Sequence, residues 1–249
     1  IERTIDKSAN FDPATAERML LNHEENSPLR NNCSGKHTGM LAQALLYGEP
    51  IEDYINPRHP VQQRILRVFS EMTGVPVDHI ILGTDGCSAP VFAVPLRAAA
   101  TAFACLADPS TLPEPRRSAL KTIFRAMTSN PDMVAGPGAF DTVLMTVGRG
   151  QILTKGGAEG YQALSILPGA SARFSSALGI TLKISDGDLA PRVRSVRPAV
   201  SVEALRQLGA LNESQLEILH EFAPRSLYNW RKIKVGEIRP AFDLFGITK

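Results

Sequence analysis

Cysteine is scarce in this chain: Cys33, Cys87 and Cys105 are the three in 249 residues. So few, and an odd number, exclude the disulfide framework of a small secreted domain. A reducing, cytoplasmic setting is expected. No apolar stretch approaches the ~18–20 residues needed to span a bilayer. The richest, 89–106, is broken by Pro90, Pro95 and Arg97, so no membrane partner is expected. Charge of one sign is also lacking. Lys and Arg number 27 against 25 Asp and Glu, interspersed, for a net +2. Such a balance gives nucleic-acid binding no support. The nearest thing to a basic run, Arg192-Val193-Arg194-Ser195-Val196-Arg197, reads as a solvated loop or edge. There is no CxxC or HxxxH pair, no phosphate-binding glycine loop and no Gly-x-Ser-x-Gly elbow.

What is present suits one domain, 1–249, with ample apolar surface, since 43% of residues are hydrophobic. Residues 1–7 read as the interior of a domain, and further chain is expected ahead of Ile1. Asp12 and Pro13 mark a helix start. Met40, Leu41, Ala44, Leu45 and Leu46 have helical spacing and end at Gly48. Pro60 opens a helix with Val61, Ile65, Leu66, Val68, Phe69 and Met72 inward, closed by Gly74. Segment 77–82 reads as a short buried strand. Helices are expected over 93–107, 116–128, 202–208 and 214–222, and 142–147 fits either helix or strand. Glycine-bounded strands are expected over 151–154, 161–167 and 180–184, with a last one over 233–238. Helices first and hairpin-linked strands later predict an α+β fold, an antiparallel sheet with helices packed on it.

Three clusters carry chemistry. Cys33-Ser34-Gly35-Lys36-His37 gathers a thiol, a hydroxyl, an amine and an imidazole at or just before a helix start. Unpaired N–H groups there favour an anion and lower a thiol pKa. A capped loop with a buried cysteine reads equally well. Gly83-Thr84-Asp85-Gly86-Cys87 is the turn after the 77–82 strand. Asp85 there is able to bind a substrate ammonium or hold a base, unless this is an ordinary Asp-Gly turn. Cys33 and Cys87 are open to three readings: a disulfide, a metal pair, or no relation. Zinc favours sulfur but normally takes four good ligands. The third cluster, Thr154-Lys155-Gly156-Gly157, is similar to the Lys-Thr-Gly strand of penicillin-recognising enzymes. A lysine there acts as a base if its pKa is lowered; otherwise it is a surface lysine in a turn. Loop 130–138 reads as rigid and able to line a site. His23, His59, His79 and His220 read as structural or exposed, Cys105 as a small core residue, and Trp230 as packing.

Asn31-Asn32-Cys33-Ser34-Gly35-Lys36-His37-Thr38-Gly39-Met40, Gly83-Thr84-Asp85-Gly86-Cys87, segment 123–136 and Lys155-Gly156-Gly157-Ala158 together resemble the bacterial L-asparaginase II family, of the thermolabile, rhizobial type. The likeness runs from about residue 15 to the C-terminus. The order and spacing of several motifs make it specific. It implies hydrolysis of L-asparagine to L-aspartate and ammonia, a serine-β-lactamase/glutaminase-like fold, and a homodimer. It also implies a zinc ion held by Cys33, Lys36 and Cys87, and a catalytic lysine at Lys155. Ser34, His37, Asp85 and Gly86 become candidates for substrate binding. The family's serine nucleophiles have no counterpart among these residues and are expected before Ile1. Ser34 does not map onto either, and the chain by itself is expected to be a poor catalyst. Two other readings compete: a zinc-containing amino-acid-binding or regulatory domain without turnover, and a β-lactamase-like amidase or peptidase.

Overall fold

The computed structural model describes residues 13–25, 27–188, 195–222 and 225–245. The architecture is α+β, a mixture of helices and small antiparallel sheets. The chain divides into two compact units, Ile1–Ala98 and Ala99–Lys249.

The first unit holds helices α1 (Pro13–Leu21), α2 (Ser34–Leu46) and α3 (Pro60–Thr73), followed by a hairpin of β1 (Ile81–Thr84) and β2 (Pro90–Ala93). Asp12, the expected cap of α1, lies outside the described residues. Helix α3 has the boundaries its sequence signals predict. Pro60 supplies a helical φ at the first position, and His59 accepts a hydrogen bond from the Val61 N–H at 3.2 Å. Gly74 closes it in the left-handed region at φ 68°, which glycine adopts without strain. The other ring nitrogen of His59 bonds the Pro50 carbonyl at 2.9 Å, so this histidine is structural. A small core of Met40, Ala44, Val61, Cys87 and Ala89 joins α2, α3 and the hairpin turn.

The buried strand expected over 77–82 is not formed. Val77–His79 is a 3-10 turn, and β1 starts at Ile81, with its side chains exposed. Ile81 is 71% exposed. An apolar run gives a strand its pattern, but its burial depends on what packs over it.

The second unit is built on the sheet of β3 (Ile152–Gly156), β4 (Tyr161–Ile166) and β5 (Leu178–Lys183), antiparallel throughout, with β4 central. Both faces are covered. On one, Ile152, Leu164 and Ile166 pack with Phe140 and Leu144 of α7 (Phe140–Val147) and with Val202 and Leu205 of α8 (Arg197–Gln207). On the other, Leu153 packs with Met145, Ala107 of α4 (Leu96–Ala107) and Phe124 of α5 (Arg116–Ser129). This explains why β4 is buried along nearly its whole length, its polar Gln162 and Ser165 being hydrogen-bonded to partners over the sheet.

Helix α4 lies so close to β5 that a Cβ on Gly179 would fall 1.9 Å from the Ala100 carbonyl oxygen and 2.5 Å from the Ala104 nitrogen. The alanine run of α4 and this glycine are complementary: only small residues let the two backbones approach. Ser165 of the same sheet donates to the Phe103 carbonyl of α4 at 2.6 Å.

Segment 142–147 resolves as helix, within α7. The loop expected over 130–138 contains a short helix, α6 (Pro131–Ala135), tied to α7 by the Thr142 hydroxyl, which donates to the Gly136 carbonyl at 2.6 Å. After α9 (Glu213–Ile218), the chain ends in a hairpin of β6 (Arg225–Tyr228) and β7 (Lys234–Ile238). Trp230, expected to pack, is 98% exposed, since the turn that carries it projects from this hairpin. Cys105 is half-buried and free. Of the basic run, 192–194 lie outside the described residues, and Arg197 is half-buried and hydrogen-bonded, not solvated. Among the described residues, no helix is long and apolar enough to cross a membrane.

Candidate functional site

Helix α2 starts at Ser34, with Cys33 as its N-cap. The whole Cys-Ser-Gly-Lys-His cluster is therefore the helix's first turn. The Asn31 side-chain oxygen accepts the Cys33 N–H at 2.8 Å, and the Asn31 carbonyl accepts the Ser34 N–H at 2.9 Å. These bonds fix the approach of the chain to the helix. The second cluster is the β1–β2 turn. The Asp85 N–H donates to the Ala89 carbonyl at 2.9 Å, and the Asp85 carboxylate accepts the Gly86 N–H at 2.7 Å.

The fold brings these clusters together. The sulfurs of Cys33 and Cys87 and a carboxylate oxygen of Asp85 all lie within 4.8 Å of one another. The Lys36 ammonium donates to Asp85 at 2.8 Å, and the Cys87 thiol donates to the same carboxylate at 3.4 Å. Both cysteines are free thiols, so the disulfide reading is not realised. The apolar floor is the small core beneath, since Cys87 belongs to it and Cys33 packs against it.

Charge is balanced locally. The Lys36 hydrogen bond holds the Asp85 carboxyl below the usual carboxylate range, outweighing the upward push of burial. Burial pulls Lys36 down, but its bonds to Asp85 and Cys87 leave it above an ordinary lysine. Burial raises the Cys33 thiol, and the nearby Lys36 charge offsets this only partly. The thiol depression expected from the helix start is thus reversed, because desolvation disfavours the thiolate.

His37 is buried, 4% exposed. Its Nδ1 shares a 2.6 Å hydrogen bond with the Tyr54 hydroxyl, with the rings edge to face. Its Nε2 is buried without a hydrogen-bond partner among the described residues. Burial, reinforced by the Lys36 charge, lowers its pKa and favours the neutral ring. Gln62 holds Tyr54 by donating to its carbonyl at 2.8 Å. Tyr54 escaped the sequence reading because it lies in an irregular turn, with no periodicity to mark it. Gly86 and Gly35 are open: a Cβ on either would meet nothing within 4 Å. Ser34 is half-buried at the helix start.

Lys155 lies in the second unit, exposed near the end of β3, and its ammonium bonds the Gly156 carbonyl. Beside it is a polar network missing from the sequence reading, built on the buried Asp141, Thr154 and Gln162 and the half-buried Arg197. Its members are spread over α7, β3, β4 and α8, so no local motif announces them.

Cys33, Asp85 and Cys87 with Lys36 form a donor set able to hold a metal ion. Two sulfurs over an apolar floor suit a borderline-soft cation such as zinc, and the carboxylate and amine supply further donors. The fold and this cluster define an α+β protein with a polar, metal-competent helix-start site. The family model described as L-asparaginase II matches residues 5–240, and the chain belongs to that family. Membership supports asparagine hydrolysis as a general activity, with a small-molecule substrate. No curated protein matches the chain.

Proposed function

We propose that this protein hydrolyses L-asparagine to L-aspartate and ammonia as a serine–lysine amidohydrolase with a zinc site, on a serine-β-lactamase-like fold and as a homodimer. The observation that carries the reading is the convergence of Cys33, Lys36, Asp85 and Cys87 at the start of α2. An amino-acid substrate brings a carboxylate, an ammonium and a side-chain amide. The first-turn N–H groups of α2 suit the carboxylate, and Asp85 suits the ammonium. Ser34, Gly86 and the His37 Nε2 supply further polar contacts.

Cys33, Lys36 and Cys87 would hold zinc, with Asp85 beside them. Lys36 must give up its proton to ligate, which its bond to Asp85 opposes. When bound, the ion supplies Lewis acidity and anchors the two loops.

Lys155 is the base. A serine hydroxyl attacks the side-chain carbonyl carbon while the Lys155 amine takes its proton. The C–N bond breaks, and Lys155 returns the proton to the departing nitrogen, releasing ammonia. Water then attacks the acyl-serine, giving aspartate and the free hydroxyl.

Ammonia release from asparagine by the purified, zinc-loaded full-length protein tests the reading, with glutamine and a β-lactam as parallel substrates. Release from asparagine is the expected result. No release with zinc bound overturns catalysis and favours an amino-acid-binding domain, whereas β-lactam turnover favours a broader amidase. Light scattering of the same sample tests the homodimer.

A further inference from the structure

The Asp141 carboxylate is buried, 6% exposed, in the first turn of α7, and has no ion-pair partner among the described residues. A buried carboxylate is tolerated when donors surround it. Its donors come from β3 and β4. The Gly156 N–H donates at 2.6 Å, the Gln162 amide at 2.7 Å and the Thr154 hydroxyl at 3.4 Å. Thr154 and Gly156 are the two neighbours of Lys155 in β3. Strand alternation turns both toward Asp141 and leaves Lys155 on the opposite face.

The next residue is held by a cation. Arg197, the first residue of α8, donates through one guanidinium nitrogen to the Gly157 carbonyl at 2.9 Å and to the Tyr161 carbonyl at 3.0 Å. The Gly157 N–H closes the turn onto the same Tyr161 carbonyl at 2.9 Å. Gly156 sits between the two ionic groups. A Cβ there would lie 2.7 Å from the guanidinium nitrogen and 3.2 Å from the Asp141 oxygen. A carboxylate and a guanidinium thus bracket Lys155-Gly156-Gly157, whose one charged side chain is Lys155. A plain surface turn needs no such clamp.

We propose that Asp141 and Arg197 are positioning residues for Lys155, fixing the backbone from which it reaches the reacting amide. This rests on the reading of Lys155 as the base. Asp141→Asn keeps the shape but puts an amide donor where an acceptor is needed. Arg197→Lys keeps the charge but gives up the planar guanidinium. For folded variants in the active, zinc-loaded protein, kcat on asparagine should fall about 10- to 100-fold, as expected for a misplaced base. KM should stay within about twofold, because only the reacting group moves.

Amine labelling of Lys155, read by mass spectrometry against Lys121 as an internal reference, should change in rate in the same variants. Amide exchange at Gly156 and Gly157 should quicken. Wild-type kcat, labelling and exchange in the folded variants would overturn the inference. If Asp141→Asn does not fold, Arg197→Lys alone decides. A wild-type protein that releases no ammonia overturns the asparaginase reading, and labelling and exchange still decide the clamp.

Discussion

The Lys36 ammonium and the Asp85 carboxylate, 49 residues apart in sequence, meet at 2.8 Å. One stands on the first turn of a helix and the other in a hairpin turn, so their pairing draws Cys33 and Cys87 into one cluster. The side chains are 44% and 35% exposed. At that exposure solvent screens the pair, which is worth at most about 1 kcal/mol to the fold.

Asp85→Asn should therefore move the unfolding free energy by no more than about 1 kcal/mol. Its effect should fall on binding: the apparent KM for asparagine should rise, and bound zinc should decrease. Steady-state kinetics with chemical denaturation on one preparation separates the two. A large loss of stability with unaltered KM would make Asp85 a structural residue.

Cys33→Ser combined with Cys87→Ser removes both sulfurs from the cluster. Elemental analysis should find zinc near stoichiometric in the wild type and lost in the double variant, since oxygen is a poorer ligand for this ion. Chelation of the wild type should lower its thermal midpoint, because a ligand bound to the folded state stabilises it. Zinc retained without both cysteines would refute the assignment.

Tyr54→Phe deletes the hydroxyl that bonds His37 Nδ1 at 2.6 Å. His37 Nε2 already has no partner among the described residues, so the variant would bury a ring with neither nitrogen satisfied by them. A cost of about 1–3 kcal/mol is expected in urea unfolding. An unchanged midpoint would mean that water already serves this ring.

Gly179→Ala should cost about 3 kcal/mol, since the new methyl meets the backbone of α4 and no flexible side chain there is able to yield. Gly86→Ala, in open space, should stay within about 0.5 kcal/mol. Equal effects at the two positions would contradict the close approach of α4 to β5.

Glu203 accepts bonds from Arg206 on the same helix at 2.7 and 2.8 Å. The Arg206 hydrogen bond, against the opposing push of burial, holds its carboxyl below the usual range. A depressed folded pKa means the stabilisation is fully present above the unfolded value of about 4.3 and is lost as pH falls through the folded one. The pair should contribute about 0.5 kcal/mol. The stability gap between wild type and Glu203→Gln should thus be flat from neutral pH down to about 5 and close in more acid solution.

Much of the fold was legible locally. The Pro60 start and Gly74 stop of α3 hold because both residues act through their own φ. The sheet strands hold because short β-prone segments punctuated by glycine turns pair locally as hairpins. The strand expected over 77–82 failed because its burial requires a covering layer that the run itself does not encode. Strand β6 passed unnoticed, since Arg225-Ser226-Leu227-Tyr228 has no apolar pattern of its own and forms by pairing with β7.

By itself, the sequence determined the Cys33–His37 cluster, the helix start that presents it, and the motif order that resembles the family. The cluster and the helix start follow from residue chemistry and short spacings; Cys33, Lys36 and Cys87 as a ligand set follow only from the resemblance. Only the tertiary structure decided that Asp85 joins the thiols, that Cys33 is raised and not lowered, and that Asp141 and Arg197 flank the backbone at Lys155. Each depends on burial or on partners from distant segments, which only the folded chain brings within a few ångströms.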